Sequence, residues 1–231
     1  MRRLPVIIFI ISFLILGVAI VSGTDDKDIY ALKKAILKNP NNSNLYLKLG
    51  QAMLKVGKYQ KAIKPLTKAI KLQPDYAEAH YSLGIAYGAL GKNQKKIKNF
   101  KETVRLEPAF AGGYFDLGVA YAALEMHHEA EKNYKQALKI DPEHPHAHYF
   151  IALSYYLSKR YKESVVMLKE AIDLDPNNAG IHYTLGLTYL KLARYQNAII
   201  PLQKALAMDP NLTKYASSKV LNPNGLSGYF N

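Results

Sequence analysis

Apolar residues between positions 28 and 210 recur at helical spacings and do not alternate as they would in a strand. One kind of segment places Leu83, Gly84 and Tyr87 on a single face. A second kind carries a small residue, a bulky one four positions later and another small one three positions later: Ala62, Leu66 and Ala69 are the first example. The pattern predicts short amphipathic helices of two alternating types.

The two types alternate with a constant period of 34 residues. Six prolines mark it, each at the end of a second-type helix that a proline cannot continue: Pro40, Pro74, Pro108, Pro142, Pro176 and Pro210. The Leu-Gly pair of the first type also keeps the period: Leu49-Gly50, Leu83-Gly84, Leu117-Gly118, Ile151-Ala152 and Leu185-Gly186. One helix pair cannot bury its apolar face alone, so a stack of pairs must share the core.

The period of 34 residues and the residues that recur with it resemble those of the tetratricopeptide repeat family. The resemblance implies an all-α fold, a right-handed superhelical α-solenoid of helix-turn-helix repeats. It predicts a truncated repeat with only its second helix at 24–42 and five full repeats at 43–76, 77–110, 111–144, 145–178 and 179–212. Residues 213–231 are expected to form a capping helix and tail, since terminal repeats need a cover.

Residues 1–23 have a pattern of their own. Arg2 and Arg3 precede an apolar run from Leu4 to Val21, and small or polar residues follow. This order is typical of an export signal, and the run is also long enough for a membrane anchor. Two alternatives stay open: a single-pass anchor with the repeats on the extracytoplasmic side of the cell membrane, or a signal removed after Gly23, which leaves a secreted or periplasmic protein. A buried helix is disfavoured because no polar face interrupts the run.

In this family the first helix of each repeat lines a concave groove, and here the implied wall is apolar and rich in tyrosine. Its expected members are Leu47, Gln51, Tyr81, Ile85, Phe115, Val119, Tyr149, Leu153, Tyr156, Tyr183 and Leu187. Such a wall suits an extended or helical protein segment with hydrophobic anchors. The alternative is that the tyrosines only pack the repeats. The family's clamp for a C-terminal carboxylate is absent, because its positions hold Leu47, Gln51, Ser82 and Asp116.

The chain has 31 Lys and Arg against 18 Asp and Glu, a formal net charge of +13. Most of the excess lies in residues 1–110, in two rows on second-type helices: Lys58, Lys61, Lys64, Lys68 and Lys71, then Lys92, Lys95, Lys98, Lys101 and Arg105. Spacings of three and four put each row on one face. The rows are interpreted as a solvated basic face or as a surface for anionic lipid. Nucleic acid is not expected, because no platform of aromatic residues or arginines interleaves the lysines and because the export signal argues against it.

The sequence contains no cysteine and no recognisable catalytic motif. His144, His146 and His148 could be read as a weak metal site, but His148 falls where other repeats carry Tyr or His in a packing position. No cofactor and no enzymatic activity are expected. The sequence therefore favours a non-enzymatic scaffold exported to the cell envelope, which binds an unidentified partner protein. The alternatives are a membrane-surface module that uses the basic face and, less favoured, a histidine-based metal-binding protein.

Overall fold

The computed structural model describes residues 24–144 and 146–214. The predicted export segment at 1–23 and residues 215–231 of the predicted cap lie outside this range. Every helix within it falls short of the length and apolar character that a membrane span requires.

The described residues form eleven α-helices and no strand, which confirms the all-α prediction for this part of the chain. The helices are α1 Thr24–Lys38, α2 Ser43–Lys55, α3 Tyr59–Leu72, α4 Ala77–Ala89, α5 Asn93–Leu106, α6 Ala111–Ala122, α7 His127–Ile140, α8 Ala147–Leu157, α9 Tyr161–Leu174, α10 Ala179–Lys191 and α11 Tyr195–Met208. A short 3-10 helix, Pro210–Lys214, follows. Each full predicted repeat contains one pair of helices.

The chain divides into two compact units, Met1–Pro108 and Ala109–Asn231. In the first unit, α1 to α4 enclose a core to which Leu47, Leu66 and Ala69 contribute buried side chains. In the second unit, α8 to α11 enclose another core, in which Leu168, Ile181 and Leu202 are buried. Both cores are built from the apolar stripes that the sequence places on alternate helices.

Close helix approach within a repeat depends on a missing side chain. A Cβ atom added to Gly84 would lie 2.5 Å from the ring of Phe100, and one added to Gly118 would lie 2.5 Å from the ring of Tyr134. Leu66 and Leu202 fill the corresponding space at Gly50 and Gly186. A bulky residue on the second helix therefore fits against the backbone of the first.

The turn inside each repeat requires a residue in the left-handed region. Gly57 and Gly91 have φ of 71° and 69°, and the same turn position in the next three repeats holds Glu125, Lys159 and Ala193, with φ of 58°, 62° and 56°. Glycine adopts this conformation without steric cost, whereas the other residues do not. Three of the five turns are therefore strained, and all three lie in the second unit.

Lys96 occupies the position of Ala62, Ala130 and Ala198 in other repeats, where a bulky cation would ordinarily loosen the helix pair. Its aliphatic stem instead lies along Gly88, with Cδ 3.0 Å from the position of a Cβ, and its ammonium group is 5.6 Å from the centre of the Phe100 ring. The stem fills space and the charge is stabilised over an aromatic face. Ala86 and Phe100 remain buried, so this hairpin keeps a packed interior.

Candidate partner-binding surfaces

In the first unit, little of the predicted wall is available to a partner. Leu47 is only 2% exposed and belongs to the core, which corrects its assignment as a wall residue. The Gln51 amide donates a hydrogen bond to Glu78 Oε1 at 2.9 Å, and the Tyr81 ring stacks on Phe100 at 5.5 Å between centroids. Ile85 is the member with substantial exposure, 37%.

In the second unit, two more predicted members are buried and are likewise corrections: Phe115 is 6% and Leu153 is 5% exposed. Phe115 is covered by the ring of His144, 4.6 Å away, and by the edge of Phe150, 5.1 Å away. The remaining five members stay partly exposed on α6, α8 and α10, and are called the tyrosine wall: Val119, Tyr149, Tyr156, Tyr183 and Leu187.

The three tyrosines of this wall differ in how firmly they are held. The Tyr149 hydroxyl lies 3.3 Å from Thr184 Oγ1 and 3.5 Å from the Gly180 carbonyl oxygen, so it links α8 to α10. Tyr156 meets the edge of the Tyr161 ring at 5.6 Å. Burial raises the pKa of the Tyr149, Tyr156 and Tyr183 hydroxyls. They stay neutral donors, and Tyr156 and Tyr183 combine a flat apolar face with a polar end.

Sequence reasoning missed an aromatic cluster next to this wall. Tyr134 on α7 is fully buried between Phe115 and Phe150, at 5.6 and 5.8 Å, and its hydroxyl has no hydrogen-bond partner in the described residues. The buried Nδ1 of His144 is also unpartnered there, and burial lowers the pKa of that histidine. The equivalent position in the other repeats holds Leu or Phe, which have no hydroxyl. The repeat pattern therefore did not indicate that a hydroxyl would be buried here.

Of the three histidines of the possible metal site, His144 and His146 both lie beside Phe115, at 4.6 and 6.3 Å between ring centroids, whereas His148 has other partners. His148 places Nε2 3.0 Å from the Pro142 carbonyl oxygen and Nδ1 3.1 Å from Glu170 Oε2, while the His144 ring lies tilted against Phe115. No group of three or more potential ligands has metal-binding geometry in the described part of the chain.

The His148 contact is one example of a device that recurs in four repeats. At one repeat position near the start of the first helix, the side chain reaches back six residues to the carbonyl oxygen of the preceding proline. The contacts join Tyr46 to Pro40 at 3.1 Å, His80 to Pro74 at 3.1 Å, His148 to Pro142 at 3.0 Å and His182 to Pro176 at 2.8 Å. Because the acceptor is a carbonyl oxygen, the facing histidine nitrogen carries the proton. These histidines therefore close the turns between repeats.

The basic residues of the first unit lie on exposed faces of α3 and α5. Lys58 forms an ion pair with Asp26 at 2.6 Å, and Arg105 pairs with Glu102 at 2.8 Å. Lys95 places its ammonium group 5.4 Å from the centre of the Tyr87 ring. The remaining lysines of the α3 row border an open groove of about 700 Å³, called the lysine groove. It is lined by Lys33, Ile36, Leu37, Tyr46, Leu49, Met53, Lys61, Lys64, Pro65, Thr67, Lys68 and Lys71.

Three family models match parts of the chain. A model described as tetratricopeptide repeat matches residues 31–64, and one described as TPR repeat matches 54–91. A model of the anaphase-promoting complex, cyclosome, subunit 3 matches 123–205. No curated protein matches the chain. Each model covers less than half of the chain, and together they support a tetratricopeptide-repeat protein.

Solved structures of similar fold cover most of the chain. YrrB, described as a TPR protein with an unusual peptide-binding site, superposes with a TM-score of 0.71 at 21% identity, over 79% of this chain and 94% of YrrB. A MamA protein gives 0.69 at 22% identity, over 76% and 96% of the two chains. MamA from Desulfovibrio magneticus RS-1 gives 0.69 at 21%, over 73% and 96%. At these identities the likeness shows the fold alone.

Proposed function

We propose that this tetratricopeptide-repeat protein is a non-enzymatic scaffold that holds a segment of a partner protein against the tyrosine wall of its second unit. The observation that carries the proposal is the partial exposure of Tyr156, Tyr183 and Leu187 on α8 and α10 of one compact unit. These side chains are large enough to anchor a segment and are already held in place by neighbouring helices.

The chemistry of the wall defines the partner. No charged residue belongs to it, so recognition depends on apolar anchors and on hydrogen bonds to the neutral tyrosine hydroxyls. An extended or helical segment with two or three apolar side chains fits this description. The peptide-binding site described for YrrB, a protein of the same fold, supports a peptide as the kind of ligand.

The test uses the whole chain with Tyr156→Ala and Tyr183→Ala combined, in crosslinking followed by mass spectrometry on native cell material. Both side chains are partly exposed, so the double variant keeps the buried core of α8 to α11. We expect crosslinks between α8 or α10 and partner proteins to fall about tenfold, as for the loss of interface anchors.

A matched control places the same loss of apolar surface elsewhere on the second unit. Val166 on α9 and Ile200 on α11 are 52% and 63% exposed and lie outside the wall. The variant with Val166→Ser and Ile200→Ser should retain the crosslinks of the unaltered protein. Circular dichroism establishes that both double variants are folded. Equal crosslinks in the two folded variants would then exclude the tyrosine wall as the binding surface.

We also propose that residues 1–23 deliver the scaffold to the cell envelope. The support is the order of charged, apolar and small residues in this segment. Mass spectrometry of the native protein distinguishes the two forms: a chain beginning at Thr24 indicates a cleaved signal, and an intact chain in the membrane fraction indicates an anchor. An intact chain recovered with the cytoplasmic fraction would refute export.

A further inference from the structure

The lysine groove combines an apolar floor with a cationic rim. Leu49 and Met53 lie at its base and are 6% and 7% exposed, whereas Leu37 on α1 lies at its edge and is 82% exposed. The rim consists of lysines from two helices, Lys33 on α1 and Lys61, Lys64, Lys68 and Lys71 on α3. An apolar surface of this size that stays open to solvent is typical of an interaction site.

The rim carries charge that the described chain does not neutralise. None of its five lysines forms an ion pair with a carboxylate within residues 24–144 or 146–214. Asp26 is near Lys33 and Lys61, but its carboxylate is bound to Lys58, and the hydrogen bond and positive charge of Lys58 lower the pKa of Asp26. The groove therefore has an unbalanced positive potential above a surface that favours apolar groups.

The chain's own terminal segments do not complement this charge. Residues 1–23 contain two arginines and no acidic residue, and residues 215–231 contain Lys219 and no acidic side chain. A flat bilayer is also a poor match, because the floor formed by Leu49 and Met53 is recessed below the lysines. An occupant must instead enter the groove with apolar groups and carry negative charge at its sides.

The lysines of α3 define the shape of that occupant. They are spaced by three, four and three residues, and therefore follow one face over about 15 Å of helix. A second helix lying along α3 would bring acidic residues at the same spacings within reach of the lysines, while its apolar stripe covered the floor. A groove of about 700 Å³ accommodates the side chains of such a stripe and not a folded domain.

We propose that the lysine groove is a second docking site, on the first unit, for an acidic amphipathic helix of a partner protein. The site is separate from the tyrosine wall, and its recognition is electrostatic at the rim and apolar at the floor. Lys61, Lys64, Lys68 and Lys71 orient the helix through its carboxylates, and Leu37 with Ile36 contacts its apolar face.

The test measures binding of a capped, dye-labelled peptide of about 15 residues to the full chain by fluorescence anisotropy. Leucines occupy one face of the peptide helix, and glutamates flank them at spacings of three and four. Lys64→Glu with Lys71→Glu should weaken binding about tenfold or more, because two attractions become repulsions. Leu37→Ser, at an exposed position, should weaken binding as well, and this loss should persist in high salt, because salt screens the charges of the rim and not the apolar contact.

The repeat supplies a matched control for the charge change. Lys132 and Lys139 on α7 occupy the positions of Lys64 and Lys71 two repeats later and are exposed, so Lys132→Glu with Lys139→Glu alters the net charge equally. That variant should bind the peptide within about twofold of the unaltered protein. A peptide of the same composition with its glutamates opposite the leucines should bind about tenfold more weakly.

Several results would overturn the proposal. One is no binding of the designed peptide to the unaltered chain. Another is equal weakening by the two charge-reversed variants, which would reveal only non-specific attraction by net charge. A third is equal binding of the two peptides. A final measurement uses vesicles of phosphatidylcholine with phosphatidylserine. If Lys64→Glu with Lys71→Glu weakened the binding of vesicles but not of the peptide, the groove would be a lipid site.

Discussion

At the scale of single residues, two glycines on the same helix have opposite roles. Gly84 lies where a Cβ would meet the Phe100 ring at 2.5 Å, and Phe100 is only 1% exposed and has no free direction to move. One turn later, Gly88 faces the flexible stem of Lys96. The first glycine is required for packing, whereas beside the second the flexible lysine stem can shift to admit a methyl group, so a glycine there mainly costs helix stability.

Replacing each glycine with alanine should therefore shift stability in opposite directions. Gly84→Ala should lower the free energy of unfolding by about 1–3 kcal/mol, the usual cost of overpacking. Gly88→Ala should leave it unchanged or raise it by up to about 1 kcal/mol, since alanine favours helix. Urea unfolding followed by circular dichroism measures both. Equal effects would mean that helices α4 and α5 can separate to admit a methyl group.

A second residue-scale prediction concerns Glu131, which joins α7 to the neighbouring repeat. It accepts hydrogen bonds from Lys135 at 2.7 Å, Arg160 at 2.8 Å and Tyr155 at 3.1 Å. Partial burial alone would raise the pKa of this carboxyl, but the hydrogen bonds from Lys135 and Tyr155 and the charges of Lys135 and Arg160 outweigh burial and lower it. The carboxylate therefore stabilises the fold above its unfolded pKa, and this contribution is lost as pH falls through the lower, folded pKa.

Glu131→Gln should consequently reduce stability most at neutral pH. We expect a loss of about 1–3 kcal/mol at pH 7, the range for hydrogen bonds to a charged group. The difference in stability between the variant and the unaltered protein should shrink as pH falls below 4.5, the ordinary pKa of a glutamate carboxyl. Thermal unfolding across this pH range provides the measurement. A difference that is constant with pH would show that the carboxylate's charge contributes nothing.

At the scale of helices and turns, the period of 34 residues was enough to predict each helix pair. Small residues such as Gly118, bulky residues such as Tyr134 and the terminal prolines all recur, and each has a local physical cause. The period did not predict which side chains of the expected wall would be exposed to solvent. Phe115 is buried because His144 and Phe150, which are not periodic in the repeat, cover it. The lysine row was visible in the sequence, but the apolar floor beside it depends on how α1 packs and had no sequence signal.

The left-handed turn is a further feature that only the structure revealed, and it leads to a reciprocal prediction. Ala193→Gly should raise the free energy of unfolding by up to about 1 kcal/mol, because glycine removes the steric cost at φ of 56°. Gly57→Ala, at φ of 71° with open space around its Cβ position, should lower it by a similar amount. Chemical denaturation of both variants tests the turn. Stabilisation by both substitutions would contradict a shared conformational requirement.

At the scale of the whole molecule, the two proposed surfaces differ in chemistry as well as in location. The tyrosine wall is uncharged and lies in residues 109–231, whereas the lysine groove is strongly basic and lies in residues 1–108. Such a division lets one chain join two different partners, one apolar and one acidic. It also agrees with the charge distribution of the sequence, in which most of the excess positive charge precedes residue 111.

The two surfaces should therefore respond independently to substitution. The Tyr156→Ala and Tyr183→Ala variant should bind the acidic peptide within about twofold of the unaltered chain, since the two sites share no residue and each belongs to a different compact unit. The Lys64→Glu and Lys71→Glu variant should keep its crosslinks at α8 and α10. Anisotropy titrations and crosslinking on the same four proteins, the two variants and their matched controls, measure both effects. A tyrosine-wall variant that lost peptide binding while remaining folded would show that one ligand spans both surfaces, and the protein would then be a receptor for a single partner.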